Sequence, residues 1–174
     1  MNYFAFYDLP LAFRIDEKLL RTRFLEKSKL LHPDFVNQAD DAAREEADAL
    51  TALNNQAYQT LSNSDARIRY VLELTGAMGE EGSHKMSSDF LVEVMDINEA
   101  LMELEFDFNP GRFEATQSSI QQLERELNDA VRPELIAYDT GQDTDRSLVR
   151  IRDYYFKKKY LLRIKENLSK FAAA

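Results

Sequence analysis

Phe90, Val94, Ile97, Leu101, Leu104 and Phe108 recur at intervals of 4, 3, 4, 3 and 4 residues. That alternation returns apolar side chains to one stripe of an α-helix; a strand, whose side chains alternate with a period of two, does not produce it. A helix with such a seam must bury it against other helices. Two further periodic segments can supply them: Phe113, Ile120, Leu123, Leu127 and Val131, then Leu148, Ile151, Tyr154, Leu161, Ile164, Leu168 and Phe171. Asn109-Pro110-Gly111 ends the first helix and the turn from Tyr138 to Asp145 ends the second, so short loops predict an antiparallel three-helix bundle. Pro133 is expected to kink or interrupt the middle helix, because it lacks the N–H that the helical ladder needs.

Upstream, Asp16 is placed to cap a helix running to about Leu31, with Leu20, Phe24 and Leu31 on one side. His32-Pro33-Asp34 stops it, since Pro33 biases His32 away from helical dihedrals, and an exposed turn results. A long helix from about Asp40 to Leu61 follows, then a short one from about Ser64 to Leu74 closed by Gly76 as its C′ residue. Between Thr75 and Ser88 fall 3 of the 5 glycines, and apolar periodicity disappears. The expected organisation is therefore all-α: an N-terminal helical domain over 1–76, a linker over 77–88 and the bundle over 89–174.

With 174 residues, 44% of them hydrophobic and 30% charged, the chain has the means to bury a sizeable core. It contains no Cys, which excludes disulfide scaffolds, thiolate metal sites and cysteine nucleophiles, and makes the cytosol the default compartment. Met1 to Phe13 carries Asp8 and Pro10 without a basic leader, so it does not read as a secretory signal, and no membrane contact is expected. Phosphate-loop, dinucleotide, zinc-protease and nucleophile-elbow motifs are all missing. His32 and Asp34 find no third ligand or nucleophile, because His84 lies in the linker. No metal, cofactor or catalytic role is expected.

Charge is unevenly spread. The net charge of −9 argues against bulk attraction to nucleic acid or anionic lipid. Residues 1–76 carry 9 basic and 12 acidic side chains, 77–145 carry 4 and 17, and 146–174 carry 9 and 2. Two readings fit: antiparallel helices with complementary faces, or separate acidic and basic partner surfaces. Lys157, Lys158 and Lys159 lack the aromatic alternation of a nucleic-acid site, and their expected partners are carboxylates of the acidic segment.

The His-Pro-Asp turn has a specific context. Tyr3, Phe4 and Leu9-Pro10 precede it; Leu53 to Leu61 (LNNQAYQTL) follows, then Arg67, Arg69-Tyr70 and Leu72 to Gly76 (LELTG). That set resembles a J-domain. Essentially the whole chain is similar to the HscB family of J-proteins, the co-chaperones of iron–sulfur cluster assembly. The resemblance implies that His32, Pro33 and Asp34, with the preceding helix, engage a DnaK-class chaperone (HscA or DnaK itself) and stimulate its ATP hydrolysis. It implies also that the bundle carries an IscU-type scaffold. Arg21, Arg23, Lys27 and Lys29 give that helix a local positive excess suited to an acidic chaperone surface, although they spread around the helix and each could equally be an ordinary solvated residue. Where many J-domains place a basic residue after the Asp, this chain has Phe35 and Val36, and Phe35 is expected to pack back on the helices.

The seam arithmetic leaves Leu91, Val92 and Met95 as apolar residues outside the stripe, and surplus apolar residues on a surface helix suggest a partner site. With Asp96 and Glu99 they match the family's scaffold-binding patch; a wider buried face is the competing reading. An aromatic residue of the third helix adjoins that patch in the family. Tyr154 aligns with Leu161 and Leu168 as core, which leaves Tyr155 as the expected exposed aromatic, with Phe156 the alternative. A general J-protein with another client, or a helical interaction module, is the competing function.

Overall fold

The computed structural model describes residues 2–32, 41–80, 82 and 84–172, and every regular element among them is a helix. They form two compact units, 1–75 and 76–174.

The first unit holds α1 (Tyr3–Phe6), α2 (Glu17–Leu30), α3 (Asp41–Ser62) and α4 (Ser64–Leu74). Asp16 caps α2 by accepting from the Lys18 and Leu19 N–H groups at 2.9 and 3.0 Å, and Asn63 does the same for α4 at Asp65 and Ala66. Both side chains satisfy donors that a helix start leaves without intrahelical partners. Gly76 follows α4 with φ of +70°, the left-handed conformation that closes a helix cheaply only when no Cβ is present. Helices α2 and α3 run antiparallel: Leu31 meets Leu50 at one end, while Phe24 stacks on Tyr58 at 4.2 Å further along.

Much of this unit is pinned by polar side chains inside it. Asn54 of α3 is buried; its Nδ2 donates to the Phe24 carbonyl at 3.2 Å and to Ser28 Oγ at 3.0 Å. The Tyr7 hydroxyl lies 2.7 Å from the Asn54 carbonyl and 2.8 Å from Oδ1, and burial pushes its pKa far above the ordinary tyrosine range. Buried Arg67 of α4 donates from Nε to the Phe13 carbonyl at 2.8 Å and from Nη1 to the Leu61 carbonyl. Tyr70 stacks on Tyr3 at 4.5 Å and accepts the Tyr3 N–H at 3.0 Å. The aromatic and polar residues of the J-like set are thus the ties of the fold.

The second unit contains α5 (Ser88–Phe106), α6 (Pro110–Asp139) and α7 (Thr144–Ala172). Phe90, Val94, Ile97, Leu101 and Leu104 of α5 pack with Ile120 and Leu123 of α6 and with Leu161, Ile164 and Leu168 of α7. At 1.5 Å per residue, α6 and α7 are each about 45 Å long and α5 about 28 Å. The two longer helices therefore continue as a hairpin, around buried Val131, Ile151 and Tyr154. Lys165 Nζ reaches Glu124 Oε2 at 2.7 Å and Arg150 Nη1 reaches Glu134 Oε1 at 2.6 Å, so the basic segment pairs with the acidic one across α6 and α7.

Two expectations need correction. Phe108 does not extend the seam: α5 ends at Phe106, Asp107 is extended (φ −147°, ψ 101°), and the Phe108 ring turns to Phe113 at 6.0 Å. Pro133 does not interrupt α6, which runs through it to Asp139. The proline sits on the exposed side, and the turn beyond it is anchored by Glu134, which accepts from Ser147 Oγ at 3.0 Å as well as from Arg150. Burial pushes the Glu134 carboxyl up, but those two hydrogen bonds and the Arg150 and Arg146 charges outweigh it and hold its pKa below the ordinary value. Asn109, as expected of a break, caps α6 by accepting the Arg112 N–H at 3.0 Å, with Pro110 in the first turn.

Candidate functional site

The two candidate surfaces lie on different units. On α2, Arg21 and Lys29 stand exposed two turns apart with exposed Leu25 between them. Arg23 is half-buried, with Nη1 3.6 Å from Glu26 Oε2. Lys27 is withdrawn: its ammonium lies 4.4 Å from the centre of the Phe6 ring, at a small apolar cleft lined also by Leu30, Leu31 and Leu50. The four basic residues thus divide into two that are exposed and two engaged at home. His32 is exposed just past the helix end, and its N–H donates to the Lys29 carbonyl at 3.2 Å, which fixes where the backbone leaves α2. Pro33, Asp34, Phe35 and Val36 lie outside the described residues.

On α5 the faces separate cleanly. Leu91, Val92 and Met95 are 45, 62 and 59% exposed, while their neighbours Phe90 and Val94 are buried, so the wider buried face does not hold at these positions. Glu99 is exposed beside them. Asp96 lines a groove of about 420 Å³ of mixed character between α5 and α6, together with Glu93, Ile97, Arg112, Leu123 and Glu126. Arg112 at one end of this groove holds Glu103 at 3.0 Å.

The aromatic residues of α7 differ in part from expectation. Tyr154 is core, and its hydroxyl donates to Asn128 Oδ1 at 2.7 Å. Tyr155 is half-buried rather than exposed, its ring set edge-on against Phe156 at 5.2 Å. Phe156 in turn stacks on His84 at 4.5 Å, and His84 Nε2 lies 3.3 Å from Asp153 Oδ1. Lys157 also departs from its expected partner. It pairs with Asp153 of its own helix at 2.7 Å, with its ammonium 5.6 Å from the centre of the Phe90 ring.

Two further exposed apolar residues of α5 lie outside the expected patch: Met102 and Phe106, 61 and 91% exposed. They are off the seam by the same count that isolates Leu91, so the signal was present in the spacing. Among the described residues no helix is long and apolar enough to cross a membrane.

Comparison with known proteins covers both units. Residues 86–169 match the family described as the HSCB C-terminal oligomerisation domain. The chain is 29% identical over 168 residues to the mouse iron–sulfur cluster co-chaperone protein HscB, covering 96% of this chain and 67% of that protein. It is 33% identical over 145 residues to a co-chaperone protein HscB homolog of Vibrio vulnificus, covering 77% and 84%. The crystal structure of human co-chaperone protein HscB superposes with a TM-score of 0.74 at 27% identity, over 97% of this chain and 81% of that one. The human sequence is longer, and the match spans 54% of it.

Proposed function

The chain belongs to the HscB family of iron–sulfur cluster co-chaperones, and on that premise we propose that it carries an IscU-type scaffold to a DnaK/HscA-class chaperone and accelerates ATP hydrolysis by that partner. Residues 1–76 act as the J-domain, 77–88 as the linker and 89–174 as the scaffold-binding domain. The observation that carries the client half is the exposure of Leu91, Val92 and Met95 on a helix whose opposite side is core. Asp96, Glu99 and Tyr155 complete that surface. His32, Pro33 and Asp34 meet the chaperone with Arg21, Arg23, Lys27 and Lys29 behind them. The Asn54 bonds to α2 support this, because a docking turn whose leading helix is already fixed loses little entropy when it binds.

The chain performs no bond-making in this reading. Two binding surfaces on one polypeptide raise the local concentration of scaffold at the chaperone while the J-domain biases the chaperone's nucleotide state. The cytoplasm is the compartment this implies.

Two titrations test it on the full chain. Calorimetric titration with apo IscU-type scaffold from the same source is expected to saturate with affinity on the order of micromolar. Steady-state ATPase of a DnaK-class chaperone is expected to rise with the chain and to lose that rise with His32→Gln, at unchanged helicity by circular dichroism. ATPase stimulation without scaffold binding would identify a J-protein serving another client. Stimulation retained by His32→Gln would remove the His-Pro-Asp turn from the mechanism.

A further inference from the structure

The exposed apolar residues of α5 do not stop at Met95. Leu91, Met95, Met102 and Phe106 are all exposed and follow one another at 4, 7 and 4 residues. At 3.6 residues per turn they fall within about 60° of one another, along about 22 Å of the helix axis. Apolar residues scattered singly over a surface are ordinary, but a row ending in a phenylalanine that is 91% exposed is not. The helix has no means of shielding the row itself. It contains Asp89, Glu93, Asp96, Glu99, Glu103 and Glu105 and no Lys or Arg, so no long basic side chain of α5 can lay its methylene stem over its apolar neighbours.

We infer that the client surface runs the full length of α5 from Leu91 to Phe106, and that the scaffold segment covering it is apolar with a border of Lys or Arg side chains; this rests on the scaffold-binding role proposed above. Two features of the surface define that occupant. The apolar row begins in the Leu91, Val92 and Met95 patch and resumes at Met102 after one turn that carries Asn98 and Glu99, on the same side of the helix, so one extended segment reaches both ends. Glu99 beside it, within a helix whose formal charge is wholly negative, makes a basic border favourable and an acidic one repulsive. Phe106 anchors the far end: it has the largest apolar area still in water on the row, and aromatic residues bury more apolar area on contact than other side chains. Met102, one turn before it, and Met95, nearer the other end, have unbranched side chains that adapt to what covers them.

The test is titration of the full chain with apo IscU-type scaffold at low and high salt, using wild type, Leu91→Ala with Met95→Ala, and Met102→Ser with Phe106→Ser. Because Met102 and Phe106 are exposed, their double substitution should leave Tm within about 2 °C of wild type. It should weaken scaffold binding at least about 10-fold, and salt should weaken wild-type binding, as a basic border against carboxylates requires. If the Met102 and Phe106 variant binds as wild type does while the Leu91 and Met95 variant fails, the surface ends at Met95 and only the extension falls. Absence of binding by wild type itself removes the extension and the scaffold role together. Sedimentation decides one further outcome: an oligomer that becomes monomeric in the Met102 and Phe106 variant, with scaffold affinity unchanged, makes this row a contact between copies and overturns the inference. Affinity that does not change with salt overturns the basic border.

Discussion

The two units are held together differently. Residues 1–75 depend on buried polar side chains that reach backbone groups of other elements, Asn54 to the Phe24 carbonyl and Arg67 to those of Phe13 and Leu61. Residues 76–174 depend on an apolar seam, and their cross-helix ion pairs lie toward the surface. A hydrogen bond to a carbonyl specifies one position, whereas an apolar contact accepts many similar shapes. On the function proposed above, the polar tie of Asn54 fixes the helix that leads to His32, and the tolerant seam backs a long face offered to a partner.

That contrast can be broken by substitution. Leu161→Ala removes a side chain at the centre of the seam and should destabilise the second unit by about 3 kcal/mol, read from chemical denaturation. Asn54→Ala should cost the first unit about 2 kcal/mol, because it removes the Nδ2 donor to the Phe24 carbonyl and Ser28 Oγ and leaves the buried Tyr7 hydroxyl only the residue-54 carbonyl as acceptor. A loss no greater than that of a surface substitution would mean that the first unit too is held mainly by its apolar core. Leu91→Ala with Met95→Ala should weaken scaffold binding by about 2 kcal/mol with little change in Tm. A large fall in Tm would instead count these residues with the seam.

Smaller effects sharpen the same distinction. Glu134→Gln should cost about 0.5–1 kcal/mol at neutral pH, since Arg150 remains half in solvent and the pair is screened. The Glu134 pKa is lowered by folding, so its contribution is whole above about pH 5 and fades as pH falls through the ordinary glutamate range toward the lowered value. Wild type and Glu134→Gln should therefore converge in stability on acidification. Phe106→Ser alone should change folding stability by less than about 0.5 kcal/mol, the smallest effect of the series.

Helix positions were legible in the sequence because their signals are local. Asp16, Gly76 and Asn109 mark helix ends through their own backbone and side-chain chemistry, and each does so in the structure. The exposure of Leu91, Val92 and Met95 was legible as well, since a count of four and three assigns each residue to a face. What could not be read depends on which way side chains turn once the helices pack. The seam count continues to Phe108, but the helix beneath it ends at Phe106. Pro133 looks like a break until Ser147 and Arg150 are seen holding the residue after it. Asn54 sits within an ordinary polar stretch, Asn54-Asn55-Gln56, and nothing in that stretch says which amide turns inward to meet Tyr7. Tyr155 falls between the core and exposed faces of α7, where spacing alone does not predict its approach to Phe156.

On α5 the residues that hold the helix in place and those that look outward alternate along one short stretch without sharing a direction. Mutations at Leu91, Met95, Met102 or Phe106 can therefore be sampled while the fold stays intact, and mutations at Val94 or Leu101 can be compensated within the bundle without reshaping what faces a partner. On the client role proposed above, substitutions on this helix can retune the choice of partner one side chain at a time and keep the architecture.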